Sequence, residues 1–130
     1  MMTAGVLTLS DKGSQGLRED VSGAVIKEIL TRHGIATGQY AVIPDDETTI
    51  ADTLRQWCDN SSLSLIVTTG GTGLSPRDVT PEATLAVIEK RVPGMEEVMR
   101  AESLKKTPHA MISRAVVGGR GSTLIINLPG

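Results

Sequence analysis

The sequence predicts an α/β fold, a three-layer αβα sandwich with a mainly parallel sheet, formed as one domain over residues 1–130. Apolar runs of strand length alternate with runs of helical spacing, in the order strand, helix, strand, helix, strand, helix. One of these runs, "SLSLIVTT" (62–69), is almost continuously apolar, as expected of a central strand covered on both faces. The strand runs also end in polar or glycine-containing sequence, and in such sheets ligands bind beyond the carboxyl ends of the strands.

"AGVLTLS" (4–10) reads as the first, buried strand, followed by the polar "DKGSQGLRED". "VSGAVIKEILTRHG" then places Val25, Ile26, Ile29 and Leu30 on one helix face, with Gly34 just past His33 as a left-handed C-terminal cap. "QYAVIP" (39–44) is a second strand, ended by Pro44 and the acidic "DDE". "TTIADTLRQWCDN" (48–60) is a second helix with Ile50, Leu54 and Trp57 on one face, capped by Asp46 or Thr48. After the third strand comes "TTGGTGLSPRDVTPE" (68–82), where Thr80 is expected to cap a helix with Pro81 as its first residue and "RVPG" at its end. "MEEVMRAESLKK" (95–106) is a further amphipathic helix with Met95, Val98 and Met99 as its apolar stripe. "SRAVVGGRGSTLIINLPG" closes the chain with irregular Gly-rich sequence and a strand, "STLIINL".

Composition limits what this domain does. Of its residues 39% are hydrophobic but only 2% aromatic, with no Phe, so the core is aliphatic and offers no platform for stacking single-stranded nucleic acid. The formal net charge is -2 with no basic block, which excludes backbone-driven binding of DNA or RNA. The single cysteine, Cys58, excludes an intrachain disulfide and a Cys-rich metal site, and reads as a packed thiol. No signal-like segment or membrane-length apolar run occurs, so the expected compartment is the cytoplasm.

Four stretches follow strands and are candidates for chemistry. "GGTG" (70–73) lacks the lysine of a Walker loop and the spacing of a dinucleotide fingerprint. Its glycines still let the backbone turn sharply and point amides at an anion, with Thr69 and Thr72 as extra donors, and a plain turn is the alternative. Asp78 of "PRD" either caps the following helix or holds a magnesium ion on phosphate oxygens. Arg77 pairs with Asp78, contacts phosphate or is solvated. The acids of "IPDDE" either belong to a solvated turn or supply a second metal or nucleotide ligand, which suits nucleotidyl transfer. "LSDKGSQG" (9–16) is a ligand loop or an ordinary turn. No "GxSxG" elbow occurs, and His33 and His109 are isolated, so neither a hydrolase triad nor a histidine metal site is expected.

These motifs in this order, "LSD", "IPD", "TTGGTGLSPRDVTPEAT", "ESLKKTPHAMISRA" and "RGSTLIINLPG", resemble the MogA/MoaB family of molybdenum-cofactor synthesis along essentially the whole chain. The resemblance is strongest to the adenylyltransferase branch, shared with domains of plant Cnx and animal gephyrin. It implies adenylyl transfer from MgATP to the terminal phosphate of molybdopterin, giving adenylyl-molybdopterin and pyrophosphate, before molybdate is inserted by a partner protein. It further implies that Asp45 and Asp78 are the catalytic acids and magnesium ligands. Thr69, Gly70, Gly71, Thr72 and Gly73 would receive the pterin phosphate, and Ser10, Asp11, Gly13 and Ser14 would lie on the nucleotide side. Ser113 and Arg114 would lie near the pterin end. A homotrimer is implied as well, together with a C-terminal segment beyond Gly130 that relatives carry and this sequence does not. The alternative is a non-catalytic molybdopterin-binding or scaffold module of the same family. A pyrophosphate-hydrolysing relative and a nicotinamide enzyme are weaker readings.

Overall fold

Among the described residues six strands form one sheet, in the order β2-β1-β3-β6-β5-β4. The computed structural model describes residues 2–129; Met1 and the Gly130 that ends "NLPG" lie outside them. Strands β1 (Thr3–Leu9), β2 (Ala36–Ile43), β3 (Leu65–Thr69) and β6 (Thr123–Asn127) run parallel, while β5 (Val117–Arg120) and β4 (Lys90–Arg91) are antiparallel additions at one edge. The helices are α1 (Asp11–Ser14), α2 (Val21–Arg32), α3 (Glu47–Asn60), α4 (Thr80–Val87) and α5 (Pro93–Leu104), with a 3-10 turn at Pro108–Ile112. The expected α/β architecture is therefore present, and β3 is central as its apolar run requires.

Side chains of β3 alternate between two cores, because successive residues of a strand point to opposite faces. Ile66 joins Leu7, Leu54, Trp57, Val87 and Ile125 beneath α3 and α4. Leu65 and Val67 join Ala4 on the other face, where Ile26 and Leu30 of α2 cover them. Asp46 caps α3 by accepting from the Thr49 amide at 2.9 Å, and Gly34 follows α2 with φ +76°, both as the sequence predicts. Among the described residues no helix is long and apolar enough to cross a membrane.

Several local expectations fail for identifiable reasons. The "irregular" segment before the last strand is itself a strand: Gly121, at φ +57°, turns β5 back along β6. Helix α4 ends at Val87 rather than near "RVPG", because Lys90 and Arg91 pair with β5. Thr80 does not cap it. Val79 occupies the cap position, and the Thr80 hydroxyl instead donates to the Gly70 carbonyl at 2.9 Å. In α2 only Ile26 and Leu30 of the proposed face turn inward, and Val25 and Ile29 are exposed. In α5 the stripe expected of Met95 and Val98 faces outward, and the one buried residue is Glu96, 2% exposed. Its carboxylate accepts from Arg91 Nε and Nη2 at 2.9 and 2.8 Å and from the Val117 amide at 2.9 Å, with Arg100 at 3.6 Å. Apolar periodicity could not register an inward face built from an ion-pair hub.

Candidate functional site

Parallel pairing brings the carboxyl ends of β1, β2, β3 and β6 to one edge of the sheet, so the loops after them converge. After β1, the Ser10 side chain accepts from the Gly13 amide at 3.0 Å and starts α1, and the Ser14 hydroxyl donates to the Asp11 carbonyl at 2.8 Å. Both hydroxyls thus build the turn that presents Asp11. Asp11 and Asp45 are joined reciprocally: the Asp11 amide donates to Asp45 Oδ2 at 3.1 Å, and the Asp45 amide donates to Asp11 Oδ1 at 2.9 Å. Arg77, from the third loop, donates to both oxygens of Asp11 through Nε (3.0 Å) and Nη2 (2.7 Å). Arg77 thus pairs with Asp11, 66 residues away, rather than with its neighbour Asp78, and its side chain stays 60% exposed.

The glycine loop passes beside these acids. Gly70 and Gly71 have φ +101° and +71°, a region only glycine adopts without strain. A Cβ on Gly70 would sit 2.4 Å from the Leu9 carbonyl oxygen, and one on Gly71 would sit 2.4 Å from Thr80 Oγ1 and 3.3 Å from Asp45 Oδ1. A Cβ on Gly73 would lie 2.9 Å from Asp78 Oδ2. Among the described residues the amides of Gly71, Thr72 and Gly73 donate to no backbone carbonyl. Thr69 closes β3 opposite Thr8, and Thr72 is buried. Gly71→Ala is therefore expected to reduce stability by about 1–3 kcal/mol and to lower turnover by displacing Asp45 or Thr80. Gly34→Ala, with the same sign of φ and open space around it, is expected to cost stability alone. Thermal melts and steady-state rates of the two variants separate strain from collision.

Asp78 does not cap α4. Its Oδ2 accepts from the Ser75 amide at 3.0 Å, closing its own loop. Arg114 is engaged by the loop that carries Asp78. Its Nε donates to the Gly73 carbonyl and its Nη2 to the Asp78 carbonyl, both at 2.8 Å, while Glu82 takes the rest of the guanidinium. The Arg114 amide also donates to the Thr72 carbonyl at 2.8 Å. The side chain thus holds the 72–78 loop in shape. Ser113 adjoins it, its carbonyl accepting from Arg100 Nη1 at 3.0 Å.

Electrostatics distinguish the acids. Burial pushes the Asp45 carboxyl up, and the charges of Asp11 and Asp78 add to this against the opposing Asp11 amide and Arg77. Hydrogen bonds from Arg77 hold Asp11 low, aided by the Asp45 amide. Among the described residues no group of three or more His, Cys, Asp or Glu could hold a metal. Yet Asp45 Oδ1 and Asp78 Oδ1 accept no hydrogen bond from them. A free carboxylate oxygen is the donor type that a hard divalent cation takes.

A cavity of about 330 Å³ adjoins the loops, lined in part by Thr8, Ser10, Gly13, Asp20, Thr69 and Gly70. Asp20 was not singled out from sequence, although an Asp just before "VSGAV" is a cap signal. It caps α2 through the Gly23 amide at 3.0 Å, and it accepts from Thr8 Oγ1 at 2.8 Å and from the Tyr40 hydroxyl. Burial and this acceptor raise the Tyr40 pKa to about 12. Asn127 was also missed. Buried at the end of β6, it donates to Thr68 and Thr84 and accepts from the Val116 amide.

Comparison with known proteins places the chain in a family. A family model described as "Probable molybdopterin binding domain" matches residues 5–130. A molybdopterin adenylyltransferase of Helicobacter pylori is 45% identical over 128 residues, covering 97% of this chain and 73% of that protein. The Drosophila melanogaster molybdenum cofactor synthesis protein cinnamon is 42% identical over 130 residues, covering 99% of this chain and 22% of its own length. The crystal structure of the molybdopterin biosynthesis enzyme MoaB from Thermus thermophilus superposes with a TM-score of 0.92 at 48% identity, covering 100% of this chain and 82% of that one. This chain belongs to the molybdopterin-binding family that includes the MogA and MoaB proteins.

Proposed function

We propose that this protein is a molybdopterin adenylyltransferase acting in molybdenum cofactor synthesis. It would transfer the adenylyl group of ATP to the terminal phosphate of molybdopterin, releasing pyrophosphate. The observation that carries the reading is the convergence, at one sheet edge, of unpaired glycine-loop amides with Asp45 and Asp78, each keeping a free carboxylate oxygen. The Helicobacter relative bearing that name supports it.

The chemistry asks little of a base. A phosphate monoester is largely ionised at neutral pH and needs screening and in-line alignment more than deprotonation. The amides of Gly71, Thr72 and Gly73 would hold the attacking phosphate. Asp45 and Asp78 would hold a divalent cation, for which we propose magnesium. That cation would neutralise charge on the transferring phosphoryl oxygens. Asp11 and Arg77 would keep Asp45 in place, and Arg114 would keep the loop of Asp78 in place. Ser10, Gly13 and Ser14 would shape the nucleotide side, beside the 330 Å³ cavity. Ser113 would border the pterin end.

We further propose a cytoplasmic homotrimer. The outward line of Val21, Val25 and Ile29 on α2, and Val98 on α5, offers apolar surface for self-association. The Drosophila relative is several times longer than this chain, which suits a molybdate-inserting partner acting next on the product. Incubation with molybdopterin, ATP and magnesium is expected to yield adenylyl-molybdopterin detectable by mass spectrometry. Tight binding of molybdopterin without product would instead identify a binding module.

A further inference from the structure

The fork of Arg77 on Asp11 ties two distant loops at the site. Asp11 is also the residue whose amide and carboxylate hold Asp45. Three loops, after β1, β2 and β3, therefore meet in one chain of contacts: Arg77 to Asp11, and Asp11 twice to Asp45. Both oxygens of Asp11 accept hydrogen bonds within this chain of contacts. Arg77 is also the cation that acts on Asp45, against the charges of Asp11 and Asp78. Without it, two neighbouring carboxylates would repel one another with only two amide bonds to hold them.

We propose that Arg77 is a positioning residue, which acts through Asp11 to fix the Asp45 loop against the glycine loop before substrates arrive. This rests on the adenylyltransferase reading for its kinetic consequence but not for its structural one. The ion pair is 60% exposed on the Arg77 side and 35% on the Asp11 side, so as an isolated surface pair it would contribute little to global stability. Its value lies in geometry: a bidentate fork fixes orientation as well as distance, which a lysine ammonium cannot do.

The test combines a mutant cycle with amide hydrogen exchange. Arg77→Ala is expected to lower kcat about 30-fold while KM for molybdopterin stays within about threefold, because alignment is lost rather than affinity. Arg77→Lys should fall between wild type and Arg77→Ala. In an Asp11→Ala background, Arg77→Ala should cost less than about threefold more, since a residue acting only through its partner is not additive with it. Exchange protection of the Asp11 and Asp45 amides should fall at least tenfold in Arg77→Ala, with the central β3 amides unchanged, which also shows that the variant folds. Equal losses in both backgrounds, or a raised KM for ATP with kcat unchanged, would mean that Arg77 contacts substrate directly and would overturn the proposal. Unchanged protection of both amides would overturn it too, whatever the activity. Absence of adenylyl-molybdopterin from wild type would reject the adenylyltransferase reading, and the exchange measurement would still decide the role of Arg77.

Discussion

Asp78→Asn is expected to lower adenylyl transfer about a thousandfold and to leave molybdopterin affinity within about threefold. The substitution is nearly isosteric. An asparagine oxygen can still accept from the Ser75 amide, so the loop keeps its shape while the free charged oxygen is lost. Asp45→Asn is expected to behave alike, since its bond from the Asp11 amide also survives on an amide oxygen. Effects of this kind on kcat without loss of ground-state binding identify groups that act in the transition state. Single-turnover rates with saturating ATP, together with equilibrium binding of molybdopterin, measure the two quantities separately. Wild-type rates in both variants would remove these acids from the chemistry.

The second large effect lies away from the site. Glu96→Ala is expected to destabilise the fold by about 3 kcal/mol, the lower end of the range for breaking a buried ion pair, because Arg91 is half exposed. The change strips the Val117 amide of its acceptor and leaves Arg100 beside an empty site. A thermal midpoint lower by ~10 °C is the expected readout. Burial alone would raise the Glu96 carboxyl, but the Arg91 and Val117 hydrogen bonds and the two guanidinium charges reverse it, and the group titrates below the ordinary glutamate range. Its folded pKa is depressed, so its contribution is complete above the unfolded value of about 4.3 and is lost as pH falls through the folded value. Glu96→Gln should therefore flatten that part of the acid limb of a stability–pH curve.

Periodicity and turn chemistry made the parallel half of the fold legible. The continuous apolar run of β3, the caps at Asp46 and Gly34, and the polar loops after each strand all stand where their physical reasons put them. The antiparallel edge was not legible, because "VVGGRG" shows no alternation and only pairing with β6 makes it a strand. Helix α5 misled for the opposite reason: Val98 and Met95 make a stripe, but the interior side is set by Glu96 with Arg91 and Arg100. At the site, residue pattern left "IPD", "PRD" and the glycine loop open between ordinary turns and ligand loops, and the family resemblance, not the spacing, singled out Asp45, Asp78 and Gly70–Gly73. The contacts that organise them, Arg77 on Asp11 and Arg114 on Gly73 and Asp78, span 66, 41 and 36 residues and leave no local signal. Thr80 shows how a local rule yields to a tertiary one, since its hydroxyl serves the Gly70 carbonyl rather than the helix start.

The central claim is that the group moved is the α-phosphoryl of ATP with its nucleoside, accepted by the pterin phosphate. Parallel reactions with ATP labelled at the α- or the γ-phosphorus test it directly. The α-label should appear on molybdopterin and the γ-label in pyrophosphate, in equal amounts and only when molybdopterin is present. Transfer of the γ-label to the pterin, or release of labelled AMP without a pterin adduct, would contradict the account.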